Sequence, residues 1–171
     1  SRVEKAASGQ LARYFECIHT SGKRLLALIN DQLDMSRMEA NKMAYDKRPH
    51  ALKVTTSNAV AEISPLLAAK KIAVKISDSS PEQVLIYDEA RMTQVLVNLL
   101  GNASKFAPGE STITIGGEAS DDRVAFWVDD EGPGPSDPDD TALFDRFHRA
   151  GGEDPEESGL GLGLFIVRSI V

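Results

Sequence analysis

Apolar residues recur every three or four positions along the first part of the chain, and no proline interrupts residues 11 to 43. This spacing predicts one long helix with a single apolar face. A lone amphipathic helix cannot bury such a face, so it needs a partner helix from upstream sequence or from a second subunit. We therefore expect a helical bundle formed by a dimer. The stripe consists of Leu11, Tyr14, Phe15, Ile18, Leu25, Leu28, Ile29 and Leu33.

Beyond residue 47 the pattern changes to an alternation of helices and strands. Residues 52–70 and 89–104 have helical patterns, and residues 72–76 and 84–87 have strand patterns. Residues 112–116 and 123–129 alternate apolar and polar side chains around the polar turn 119–122, which is typical of an antiparallel hairpin. The pattern predicts an α/β fold, a two-layer sandwich of a mixed sheet and helices. It follows the long helix, with domains at 1–46 and 47–171.

Glycine is concentrated in the second part of the chain, where eleven of the thirteen glycines follow residue 100. Residues 132–163 combine glycine, proline and acidic side chains, interrupted by the short apolar patch 143–147. The segment is longer than an ordinary connection between two elements. It predicts a mobile, functional lid.

Composition narrows the function further. The formal net charge of −7 disfavours a nucleic-acid platform. The single cysteine, Cys17, excludes an internal disulfide and indicates a reducing compartment. No apolar run has the length of a membrane span, and no signal peptide begins the sequence. We expect a cytoplasmic region that makes no membrane contact itself, and the sequence leaves open whether the parent protein is anchored upstream.

Three polar and glycine-rich patterns follow one another in the second part of the chain. Asn98, Asn102 and Lys105 share one helix face, where amide oxygens can ligate a hard cation and an ammonium can meet a phosphate. Residues 130–134, Asp-Glu-Gly-Pro-Gly, directly follow a strand. Gly159, Gly161 and Gly163 precede a helix, where backbone N–H groups can approach an anion.

Each pattern alone has an ordinary interpretation as polar helix surface, a turn or a flexible loop. The glycine spacing is also not that of a Rossmann dinucleotide site. The three patterns in this order, with Phe144 and Phe147 between the second and third, resemble the N, G1, F and G2 boxes of sensor histidine kinases. Those kinases share their ATPase fold with gyrase and Hsp90. Residues 18–40 resemble the second helix of that family's dimerisation and phosphotransfer hairpin.

The resemblance implies ATP and Mg²⁺ as cofactors and assigns the phosphate side of the site. Asn102 would ligate the Mg²⁺ that bridges the phosphates, with Asn98 beside it. Lys105 would contact phosphate, and Arg149 would reach the terminal phosphate.

The resemblance also assigns the base and the lid. Phe106 would lie against the purine, and Asp130 would accept the exocyclic amine of adenine. Phe144 and Phe147 would dock the lid on the body. The glycines bounding the lid would be Gly132, Gly134, Gly159, Gly161 and Gly163.

The function implied is transfer of the γ-phosphoryl group of ATP to a histidine and on to an aspartate of a response regulator. The partners implied are a second copy of the chain, through the N-terminal helix, and the regulator's receiver domain. Relatives carry the acceptor histidine on a preceding helix, followed by an acid. His19 has no such neighbour. Relatives also continue to two closing strands.

Two alternatives remain open at this point. A degenerate kinase could act as a dimeric scaffold that binds a regulator or nucleotide without transferring phosphate. A gyrase-type ATPase would need a glutamate as general base where Asn98 stands, and an amide cannot take a proton from water.

Overall fold

The computed structural model divides the chain into two compact units, Ser1–Met43 and Ala44–Val171. In the second unit it describes residues 44–77, 84–119, 123–135, 141–148 and 161–171, and Met43 is described at the end of the first unit. In the first unit it describes residues 10, 11, 14, 15, 17–19, 21–23, 25, 26, 29, 30, 32, 33 and 36.

The first unit is helical at each of its described positions between residues 10 and 36, which confirms the predicted helix there. Met43, placed near the helix end by the sequence pattern, lies outside it. The described side chains of the stripe are between 46% and 68% exposed in the single chain, from Ile29 to Ile18. Leu28 lies outside the described residues. Within the described part of this unit, the side chains of the stripe are therefore not buried against other residues.

The second unit carries the α/β elements. The strands are β1 (Arg48–Ala51), β2 (Ala73–Ile76), β3 (Val84–Tyr87), β4 (Thr112–Ala119) and β5 (Val124–Asp129). The helices are α1 (Leu52–Lys70), α2 (Glu89–Phe106) and α3 (Gly163–Ile170), with a single 3₁₀ turn at Thr141–Phe144. Helices α1 and α2, strands β2 and β3 and the β4–β5 hairpin were predicted from the sequence, and β1 was not.

The strands pair in two sheets. Strand β1 runs antiparallel to β3, with Arg48 opposite Tyr87. Strand β2 runs parallel to β4, which in turn runs antiparallel to β5, with Thr114 opposite Asp129. The predicted mixture of parallel and antiparallel pairing is confirmed.

The core lies between the helices and one face of the β4–β5 hairpin. Leu96 and Leu100 of α2 are fully buried against Ile113 and Ile115 of β4. These two isoleucines alternate with threonines, so one face of β4 packs on the helices. On the hairpin, a Cβ at Gly116 would come within 2.4 Å of the Trp127 ring. Only glycine fits under that indole. No helix among the described residues is long and apolar enough to cross a membrane.

Candidate functional site

Helix α2 carries the polar face predicted from the sequence. Asn98 and Asn102 are half-buried and Lys105 is exposed. Leu96 and Leu100 anchor the same helix in the core, so the backbone beneath the polar side chains is fixed by packing. The face is therefore rigid in its backbone and open to a ligand at its side chains.

The end of α2 brings an ammonium and an aromatic ring together. Lys105 Nζ lies 4.8 Å from the centroid of the Phe106 ring, which is 44% exposed. A cation at this distance is attracted to the face of the ring, by about 0.5–1 kcal/mol at an exposed site. The end of α2 therefore presents a positive charge and an exposed aromatic ring side by side.

Asp130 begins a tight turn beside the end of α2. Its Oδ1 accepts a hydrogen bond from the Gly132 N–H at 2.8 Å. A Cβ at Gly132 would lie 2.5 Å from that oxygen and 3.0 Å from the carbonyl oxygen of Phe106. Glycine at this position is what allows the Asp130 carboxylate and the end of α2 to approach so closely.

Glu131 fixes the point at which this turn leaves the sheet. Thr114 of β4 lies opposite Asp129 of β5. Because the two strands run antiparallel, continuing the same register by two residues places Glu131 opposite Thr112. There the Thr112 N–H donates to Glu131 Oε1 at 3.1 Å. A side chain thus replaces the backbone partner, and the backbone is free to turn at Asp130.

The glycines before α3 bring that helix against α2. Gly161 has φ +69°, and a Cβ there would lie 2.4 Å from the carbonyl oxygen of His148. The Phe147 N–H donates to the Gly161 carbonyl at 3.1 Å. Gly163 begins α3 at a point where a Cβ would be 3.1 Å from Asn98 Oδ1. The amino end of α3 and the Asn98 carboxamide are therefore neighbours.

Residues 141–148 contact α3 through charged side chains. Arg146 lies over the Phe165 ring at 4.7 Å, and Arg168 Nη1 is 3.9 Å from Asp145 Oδ1. Phe144 and Phe147 are 37% and 55% exposed. The docking role that the resemblance gave these two phenylalanines stays a prediction.

The structure thus places most of the predicted site residues along the second half of α2, from Asn98 in its middle to Phe106 at its end. Arg149 and Gly159 lie outside the described residues, and Gly134 has φ +69° at the end of the Asp130 turn. Within the described ranges, no cluster of three His, Cys, Asp or Glu side chains could hold a metal ion. A half-buried amide oxygen such as that of Asn102 fits Mg²⁺ nonetheless, because Mg²⁺ commonly takes one or two protein ligands and completes its shell with phosphate and water.

A second polar cluster, at the start of α2, was not predicted from the sequence. Asp88 caps the helix, with Oδ1 accepting the Arg91 N–H at 3.1 Å and Oδ2 accepting the Asp46 N–H at 2.9 Å. Partial burial raises the pKa of Asp88, but these hydrogen bonds and the Arg91 charge outweigh it, so the pKa lies below its ordinary value. The Asp88-Glu89 pair before an apolar helix was the available signal for the cap.

Tyr87, next to this cap, has a raised pKa. Burial is the main cause, the hydrogen bond with Thr55 at 2.7 Å opposes it, and the charge of Glu89 adds to it. The tyrosine is therefore a neutral structural group at physiological pH.

Residues 87–171 match the histidine kinase-, DNA gyrase B-, and HSP90-like ATPase family. The chain is 32% identical over 161 residues to the circadian input-output histidine kinase CikA of Synechococcus elongatus, covering 92% of this chain and 21% of CikA. It is 32% identical over 180 residues to the histidine protein kinase DivJ of Caulobacter vibrioides, covering 99% of this chain and 28% of DivJ. The chain thus spans well under a third of these relatives.

Solved structures resemble the chain over nearly its whole length. Full-length ShkA in complex with AMPPNP aligns with a TM-score of 0.75 and 32% identity, covering 92% of this chain and 32% of ShkA. The Acinetobacter baumannii histidine kinase AdeS aligns with a TM-score of 0.75 and 22% identity, covering 91% of this chain and 71% of that one. At this level of identity, the likeness to AdeS shows a shared fold alone.

Proposed function

The chain belongs to the histidine kinase-, DNA gyrase B-, and HSP90-like ATPase family, and from this premise we propose that it is the ATP-binding and dimerisation region of a sensor histidine kinase. In this function it binds ATP with Mg²⁺ and presents the γ-phosphoryl group to a histidine, from which an aspartate of a response regulator receives it. The chain acts as a dimer through its N-terminal helix, on the cytoplasmic side of any membrane.

One observation carries the proposal. The amino end of α3 lies beside the Asn98 carboxamide, and the Asp130 turn lies beside the end of the same helix, α2. Groups suited to phosphate, cation and base are therefore arranged along one helix. The N–H groups of a helix start and the ammonium of Lys105 favour phosphate. The Asp130 carboxylate only accepts hydrogen bonds, and adenine offers an amine.

In phosphoryl transfer the bond from the γ-phosphorus to the bridging oxygen of ADP breaks as a bond to the acceptor nitrogen forms. Catalysis is mainly positioning and charge stabilisation. Mg²⁺, when bound, neutralises phosphate charge. Asn102 would hold the cation, Lys105 would contact phosphate, and Asp130 and Phe106 would hold the base. None of the three histidines in this chain is followed by an acid, so we assign the acceptor to a residue outside these positions.

The proposal is tested by Asn102→Ala. The substitution removes a candidate cation ligand from a half-buried helix face, so Mg²⁺-dependent ATP binding should be lost while the circular dichroism spectrum and melting temperature stay close to wild type. Calorimetric titration with and without Mg²⁺ measures this. Asn58→Ala, an exposed amide on α1, is the matched control and should bind as wild type does.

Unchanged affinity in Asn102→Ala would remove that residue from the cation site. A wild-type protein that binds no adenine nucleotide would contradict the proposal as a whole, and would favour the degenerate scaffold.

A further inference from the structure

Lys70, the last residue of α1, holds the end of α2 from outside the four sequence boxes. Its Nζ donates a hydrogen bond to the carbonyl oxygen of Lys105 at 2.8 Å. Its own carbonyl oxygen accepts the N–H of Glu110 at 3.0 Å. One residue therefore fixes both ends of the segment 105–110.

This contact falls where a helix cannot support itself. The last carbonyls of an α-helix have no partner inside the helix, and a cation near them is favoured by the helix dipole. Ala107 N–H donates to Ala103, but the Lys105 carbonyl lies beyond the reach of the helix's own donors. The Lys70 ammonium supplies the missing donor.

The orientation of this last turn determines the base side of the site. Phe106 follows Lys105 directly, so the peptide held by Lys70 carries the exposed ring. The Phe106 carbonyl oxygen lies 3.0 Å from where a Cβ on Gly132 would be, so the Asp130 turn rests on the next peptide. A shift at the Lys105 carbonyl moves both groups.

We propose that Lys70 is a positioning residue for the nucleotide site, which holds the Phe106 ring and the Asp130 turn in register for the base. The inference rests on the proposed function. It assigns Lys70 no contact with the nucleotide. Its effect passes through the backbone at the end of α2, so it depends on the hydrogen-bond donor and not on the positive charge alone.

The neighbouring lysine provides a matched control. Lys71 Nζ pairs with Glu110 Oε1 at 2.7 Å, and both side chains are more than 70% exposed. Lys71 has the same charge and neighbours the same loop, but its ammonium is paired with Glu110 and not with the carbonyl of Lys105. If charge alone matters, removal of either ammonium should weaken nucleotide binding. If Lys70 positions the site, only its removal should do so.

The test compares Lys70→Met, Lys70→Arg and Lys71→Met by calorimetric titration of a non-hydrolysable ATP analogue and its GTP counterpart. Methionine keeps the apolar stem and removes the donor, and arginine keeps a donor. Lys70→Met should weaken the ATP analogue about two- to tenfold, the range of one hydrogen bond, and should reduce the preference over GTP. Lys70→Arg should recover most of the loss, and Lys71→Met should match wild type. Amide hydrogen exchange without nucleotide should be faster at residues 105–107 in Lys70→Met alone.

Three results would overturn the inference. One is equal weakening by Lys70→Met and Lys71→Met, since that is an effect of charge. The others are an unchanged affinity in Lys70→Met, and equal loss of ATP and GTP with no change in hydrogen exchange at residues 105–107. In each of these cases the wild type still binds the ATP analogue. Failure of the proposed function is recognised separately, because there the wild type itself does not bind.

Discussion

At the scale of single residues, the Asp130 carboxylate stabilises a turn, and the proposed function gives it a second role at the base. Oδ1 accepts the Gly132 N–H and stabilises the turn. A carboxylate has two oxygens and several lone pairs, so this bond leaves acceptor capacity for a ligand. Adenine offers an amine at the edge where guanine offers a carbonyl oxygen. The site should therefore prefer ATP, since GTP would set two acceptors against each other.

Asp130→Ala should weaken ATP about ten- to a hundredfold, because a hydrogen bond to a charged group contributes roughly 1.5–3 kcal/mol. Phosphate contacts from Lys105 and the start of α3 remain, so binding should not vanish, and the preference for ATP over GTP should shrink. Calorimetric titration of both nucleotides measures the two effects. Equal binding of ATP and GTP by the wild type would exclude Asp130 from the base site.

The substitution Asp130→Asn distinguishes a role of this residue in the turn from a role in recognising the base. The amide oxygen of asparagine can keep the bond to Gly132, while its NH₂ group becomes a donor. We expect this variant to fold like wild type, to lose ATP affinity and to gain GTP affinity relative to ATP. If Asp130 served only the turn, asparagine would leave both affinities unchanged.

At the scale of elements, the start of α2 depends on the Asp88 cap. Because the hydrogen bonds in the folded protein lower the pKa of Asp88, its ionised form is stabilised by folding. This contribution is complete above the carboxyl's unfolded pKa, and it is lost as the pH falls through the lower folded pKa.

Asp88→Ala should cost about 0.5–2 kcal/mol of unfolding free energy at neutral pH, the usual loss of a helix cap. Asp88→Asn should lose less, because asparagine caps helices well but cannot offer two oxygens to Arg91 and Asp46. Urea unfolding across pH measures this. The gap between wild type and Asp88→Asn should narrow as the pH falls below the ordinary carboxyl pKa and close once the pH is below the lower folded pKa of Asp88. A gap that persists in strong acid would contradict the linkage.

The sequence predicted the elements that carry a strong local pattern. Helix α1 was predicted at its observed bounds, and α2 at its observed start. The apolar spacing of α2 repeats over its length, and the buried positions of α1 recur every three or four residues although two of them are threonines. Strand β1 was not predicted because its four residues include Pro49 and because its partner strand, β3, begins 36 residues after β1 begins. Such a strand is specified by its partner and not by its own pattern.

In the candidate site, too, local motifs could be predicted from the sequence and contacts between distant residues could not. Asn98, Asn102, Lys105 and Asp130 belong to local motifs, and the order of these motifs along the chain carries the resemblance from which their roles were predicted. The contact of Lys70 with Lys105 joins residues 35 positions apart, and the packing of Gly163 on Asn98 joins residues 65 apart. No local pattern encodes such contacts, because they arise only when the elements pack together.

At the scale of the whole molecule, the exposed stripe of the N-terminal helix predicts self-association. A row of apolar side chains that are about half exposed or more exceeds what a single helix normally presents to water. We expect the wild type to be a dimer at tens of micromolar by light scattering. Ile18→Glu with Leu25→Glu should shift it toward monomer, because both positions lie on the apolar face.

Lys23→Glu is the control for added negative charge, since residue 23 lies off that face. It should remain dimeric. A wild type that is monomeric at the same concentration would show that this stripe does not pair two copies of the chain.

The indole over Gly116 has a spectroscopic consequence. Trp127 is the only tryptophan in the chain, and it lies on β5, 42% exposed, while its neighbours Phe126 and Val128 pack against the core. Tryptophan emission from this protein therefore originates at a single place, on the hairpin and away from the polar face of α2. Its wavelength should report the melting of the sheet without a contribution from bound nucleotide. One fluorescence trace thus gives the folding state of a variant, independently of the titration that gives its affinity.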